Sequence, residues 1–216
     1  MVDLWMTTNG TNHPCGEIGD WDISSVTDMS LVFCAVDTLP GCSSDRQGFN
    51  ADISKWNVAG VENMEGMFYG QGSSFDGNQL TCWDTSSVTN MKWLFARASG
   101  FIADVSRWKV SNETDTGDVF WDCCSALENC KKKLIYDSWT NQGADISDYS
   151  SWGALSNSSC SIESCSNPTP SPTPGVSDDD DGFPDYGIAL IVVGGVVAVA
   201  LIAFFLCGNA KVVVKK

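Results

Sequence analysis

The chain has 216 residues, room for one domain with attachments, and carries 27 acidic against 12 basic side chains. Formal net charge is −15. Residues 1–186 hold every acid and nine of the bases, so they carry 9 − 27 = −18. A surface this acidic is repelled by phosphate backbones, which excludes nucleic acid as a partner. A single histidine argues against a His-dependent triad or a multi-histidine metal site.

Residues 1–16 begin MVDLWMTTNG, with neither a basic start nor an apolar run, and show no signal peptide. They are expected to form an N-terminal cap or a truncated segment.

Residues 17–122 carry an internal repeat. Four segments align on a tryptophan: WDISSVTDMSLVF from Trp21, WNVAGVENMEGMF from Trp56, WDTSSVTNMKWLF from Trp83 and WKVSNETDTGDVF from Trp108. In each, a phenylalanine follows 12 residues later, at Phe33, Phe68, Phe95 and Phe120. Upstream, Phe49, Phe75 and Phe101 are spaced by 26 residues. The fourth copy has Thr116 where the others have methionine, and VDTLPGCSSDRQG stretches the gap between Phe33 and Phe49.

Val88, Met91, Leu94 and Phe95 fall at helical spacing, and Ser87 stands where a hydroxyl caps a first turn. Alternation around Ile53, Trp56 and Val58 suggests an extended piece ahead of it. The expected unit is a short strand, a turn and a short helix. Six apolar side chains per unit contribute roughly 1.5–3 kcal/mol each when buried, and ordering the unit costs a comparable sum. Stability must therefore come from stacking, which predicts an α/β repeat solenoid.

The phrases FNADISKWNVAGVENMEGMF and WDTSSVTNMKWLF resemble the 26-residue repeat of BspA-like leucine-rich-repeat surface proteins. The resemblance covers about half the chain. It implies an extracellular, non-enzymatic repeat protein that adheres to cells, matrix proteins or other surfaces.

Cysteines cluster at the ends of the array: Cys15, Cys34 and Cys42 belong to the first unit and its insertion, and Cys123, Cys124, Cys130, Cys160 and Cys165 follow the last unit. Disulfides holding irregular caps are the expected use, with the pairing left open by the sequence. Nine cysteines before residue 186 leave one over, and Cys82 is the candidate because it replaces Lys55 and Arg107 of matching copies. Residues 123–165 are expected to form a C-terminal cap. Their Lys131, Lys132 and Lys133 read as a solvated face.

Residues 166–186 include a Pro-Thr-Pro-Ser-Pro-Thr-Pro run and four consecutive aspartates, an extended acidic stalk. Residues 187–207 are 21 positions without a charge, long enough as a helix to span about 31 Å. Lys211, Lys215 and Lys216 follow, so the positive-inside rule puts 208–216 in the cytoplasm and residues 1–186 outside. Tail anchoring would leave 1–186 in the cytosol, but the cysteine content favours an oxidising compartment. Acceptor triplets at Asn9, Asn112 and Asn157 fit that placement as glycosylation sites.

The expected function is recognition or adhesion at a cell surface, through exposed positions flanking the repeated tryptophan: Lys55, Asn57, Asp84, Arg107 and Lys109. The partners implied are the membrane and a protein or glycan on another surface. No cofactor, bound metal or enzymatic activity is expected. A structural surface coat without a specific partner is the alternative.

Overall fold

A computed structural model describes residues 16–156 together with Cys160 and Cys165. The four units lie side by side in parallel register. Isolated bridges join Asp28 to Asn63, Asn63 to Asn90 and Asn90 to Asp115, each residue seven positions after its own tryptophan. Each unit sends backbone N–H groups to carbonyls of the next. Met29, Met64 and Met91 donate to Asn63, Asn90 and Asp115, all at 2.8 Å. Phe33, Phe68 and Phe95 donate to Met67, Leu94 and Val119 at 2.9, 3.0 and 2.9 Å.

The units are not strand-plus-helix units, and the α/β leucine-rich-repeat-like solenoid is overturned. Among the described residues the only α-helices are α1 (Asn129–Asn141) and α2 (Ser150–Gly153), both beyond the repeats. Strand character is confined to the isolated bridges. The remaining helical pieces are three-residue 3-10 turns, such as Ile18–Asp20 and Ser44–Arg46.

The cause lies in backbone handedness. Ten positions after each tryptophan φ is positive: 60° at Leu31, 57° at Gly66, 57° at Trp93 and 52° at Asp118. Four positions further on it is positive again at Gly70, Arg97 and Asp122. An α-helix requires a right-handed backbone throughout. Alternating hand instead makes a chain of tight turns that buries the same apolar positions and aims its N–H groups at the neighbouring unit. Val88, Met91, Leu94 and Phe95 are indeed buried. Ser87 caps no helix; its hydroxyl donates to the Ala59 carbonyl of the preceding unit at 2.6 Å.

The apolar segment 187–207, the stalk at 166–186, the tail at 208–216, and Cys15, Asn9 and Asn157 lie outside the described residues. Among the described residues no helix is long and apolar enough to cross a membrane.

The core is built from aromatic ladders. Trp56, Trp83 and Trp108 stack with centroids 6.4 and 6.3 Å apart. Their indole N–H groups donate to the carbonyls of Ile18, Ile53 and Leu80, each three residues before the preceding unit's tryptophan. This bond lets a polar N–H be buried without loss. Beside it run Phe33, Phe68, Phe95 and Phe120 at 5.5, 6.0 and 5.8 Å.

The C-terminal end of the stack has its own closure. Helix α1 ends in a Schellman motif, with Gly143 at φ 93°. There Gly143 N–H donates to Thr140 and Ala144 N–H to Trp139. The helix buries Cys130, Ile135 and Trp139. Trp139 stacks on Trp108, and Tyr149 and Trp152 pack on Phe120. Phe120 has no following unit to receive its N–H, and the Tyr149 hydroxyl accepts it at 3.0 Å. Thr116 is buried where methionine stands elsewhere, because its hydroxyl donates to the Asp145 carbonyl at 2.6 Å.

At the insertion between the first two units, a Cys34–Cys42 disulfide closes the loop. The fully buried Gln71 then ties it down. Its amide NH2 donates to the carbonyls of Phe33 and Arg46, and its oxygen accepts from Phe49 N–H.

Candidate functional site: the exposed positions flanking the tryptophan ladder

Burying a tryptophan in every unit forces its chain neighbours outward. Lys55 and Arg107 precede the ladder residues Trp56 and Trp108; Asn57, Asp84 and Lys109 follow Trp56, Trp83 and Trp108. All five are exposed.

Most of these side chains are engaged within the array. Lys55 forms an ion pair with Asp20, its counterpart in the preceding unit, at 2.9 Å. Hydrogen bonding and attraction to that carboxylate raise the Lys55 pKa. Asn57 and Asp84 accept backbone N–H bonds from Ala59 and Ser86, at 3.3 and 3.1 Å, and so close their own turns. Asp22, Asp52 and Asp145 do the same with Ser24, Ser54 and Ser147. The serine hydroxyl and N–H beside each hold those carboxyls below the usual range.

Cys82, between Lys55 and Arg107 in the same row, is not a leftover thiol. It is bonded to Cys165 across 83 residues of sequence. Its exposure, which suggested a free thiol, is what makes it reachable by the returning chain. The other described pairs are Cys123–Cys124 and Cys130–Cys160. The eight described cysteines thus pair among themselves. Glu128, Cys130 and Cys160 bring a carboxylate and two sulfurs within 4.8 Å of one another. Both sulfurs belong to the disulfide and offer no thiolate to a metal.

Lys109 lines a shallow pocket of about 290 Å³ with Ser86, Ser111, Thr114 and Gln142. Gln142 crosses it, donating to the Trp108 carbonyl at 3.0 Å. Asn112 is exposed near this pocket, packed beside Gly143. Thr114 of its triplet is buried, with its hydroxyl on the Val88 carbonyl at 3.2 Å.

The three lysines of α1 are occupied rather than simply solvated. Lys131 donates to the Ile102 carbonyl at 2.9 Å, Lys132 lies 5.9 Å from the Trp152 ring centre, and Lys133 pairs with Asp137. Gln71, Trp139 and Tyr149 sit at no repeat position that the pattern singles out, and only their contacts disclose their roles.

No curated protein and no solved structure matches the chain. Residues 37–142 match the family model described as a Mycoplasma protein of unknown function, DUF285, and over that stretch the chain is similar to this family, in agreement with its resemblance to BspA-like surface repeats.

Proposed function

We propose that the chain is a non-catalytic recognition module displayed outside the cell, held at the membrane through the apolar segment 187–207, and engaging a protein or glycan on another surface. The observation that carries this reading is the register of the stack. A ladder of buried tryptophans holds exposed polar side chains of successive units in rows, and their identity changes from unit to unit while the core repeats. A rigid row of varied polar groups is the geometry of a recognition surface. Four disulfides among the described residues support an oxidising compartment. The match to DUF285 over residues 37–142 supports the link with surface repeat proteins.

The test uses cells expressing the full chain with a C-terminal tag. Protease added outside should remove the repeat region and leave the tagged tail, and the same cells should gain attachment to cell or matrix surfaces. Protection of the repeats from protease, or no gain in attachment on any surface, would overturn the reading.

A further inference from the structure

Trp121 is the one large apolar side chain exposed among the described residues, at 49%. It lies between Asp118 and Asp122, at the end of the stack. Trp93, half-buried in the preceding unit, donates its indole N–H to the Asp118 carboxylate at 3.2 Å. The Lys92 ammonium lies 4.7 Å from the Trp93 ring centre. Arg97 donates its backbone N–H to the Trp121 carbonyl at 2.8 Å, and its guanidinium lies 3.9 Å from the Asp122 carboxylate.

The backbone marks these residues as unusual. Unit two places glycine at both left-handed positions, Gly66 and Gly70. Units three and four place Trp93 and Arg97, then Asp118 and Asp122, at the equivalent positions, with φ between 49° and 58°. A bulky Trp93 or Arg97 is disfavoured there relative to glycine, whereas aspartate is among the residues that tolerate the left-handed region. Strain at a bulky residue is held by the contacts around it and clusters at ligand sites. Here Trp93 and Arg97 also meet the next unit across the boundary, Trp93 with Asp118 and Arg97 with Asp122.

We propose that this patch binds a neutral saccharide, with the Trp121 ring stacking on the C–H face of a sugar and Asp118, Asp122 and Arg97 bonding its hydroxyls. The inference rests on the proposed recognition role and names its ligand class and site. An exposed indole offers an electron-rich apolar face that suits weakly polarised C–H groups. Carboxylates accept bonds from adjacent hydroxyls, while the guanidinium donates to ring or hydroxyl oxygens. Both signs of charge within one patch suit an uncharged polyhydroxylated ligand, and the net charge of −15 disfavours an anionic one.

The test is titration of the full-length chain with chitotetraose, cellotetraose, maltotetraose and mannotetraose by calorimetry and saturation-transfer NMR. At least one should bind, with saturation on its ring C–H protons. Trp121→Ala should weaken it by about tenfold or more, and Asp122→Asn should weaken it less. Because Trp121 is exposed, an unchanged unfolding curve for Trp121→Ala separates lost binding from lost fold. Failure of all four sugars to bind, or wild-type affinity in Trp121→Ala, would overturn the proposal. The same variant is then run in the attachment assay. Attachment that persists in Trp121→Ala while no sugar binds sinks this inference and leaves the recognition reading standing. Sugar binding without any attachment sinks the recognition reading alone.

Discussion

The indole of Trp139 lies 6.5 Å from that of Trp108, nearly parallel to it, and donates its N–H to the Val105 carbonyl at 3.0 Å. Val105 is three residues before Trp108, so a helical residue outside the repeat reproduces the bond that every ladder tryptophan makes to the unit before it. Helix α1 therefore ends the stack by imitating a fifth unit rather than by covering it with an unrelated surface.

Trp139→Ala should destabilise the fold by about 3–5 kcal/mol, because it opens a cavity and exposes the face of Trp108. Trp139→Phe keeps the ring but leaves the Val105 carbonyl unpaired, and should cost about 1 kcal/mol beyond the lost ring area. Denaturant unfolding of both variants measures the split. A loss in Trp139→Phe no larger than its reduced ring area accounts for would show that the hydrogen bond contributes nothing.

Cys82 and Cys165 close a loop spanning 83 residues. Cys82→Ser should lower stability by about 4 kcal/mol through the chain entropy restored to the unfolded state. Peptide mapping without reductant should recover a Cys82–Cys165 linked peptide. Recovery of Cys82 as an alkylated thiol would contradict the pairing.

Gln71→Leu should destabilise by about 3 kcal/mol, because Phe49 N–H and the carbonyls of Phe33 and Arg46 lose a buried partner. A change within half of that, measured by equilibrium unfolding, would mean the insertion is held by its disulfide instead.

Stability should fall at both ends of the pH scale. The carboxyls of Asp22, Asp52 and Asp145 have folded pKa values below their ordinary ones. Their contribution is complete above the unfolded value of about 4 and is lost as pH drops through the folded values. Lys55 and Tyr149 have raised folded values, the first from the Asp20 hydrogen bond and charge, the second from burial. Their contribution is complete below an unfolded value of about 10 and is lost as pH rises through the folded values. All but Tyr149 are largely exposed, so the acid-side slope should be gentle, and thermal unfolding across pH checks the direction. A rise in stability below pH 4 would contradict it.

What the sequence determined by itself was the period and the inside-outside pattern. Trp-to-Phe spacing of 12 residues set the register seen in the bridges from Asp28 to Asp115, because identical side chains must stack on themselves to be buried. Exposure of Lys55 and Arg107 followed from burial of the tryptophan beside each.

Only the tertiary structure decided the local backbone and the closures. A buried spacing of three and four residues is made equally by a helix and by turns of alternating hand, and the choice fell to turns because their N–H groups reach the next unit. Leu31 and Trp93 carry no sequence mark of a positive φ, unlike Gly66. The partners of Cys82, Gln71 and Trp139 lie 83, up to 38 and 34 residues away in sequence, and pairing at such range is set by packing, not by pattern.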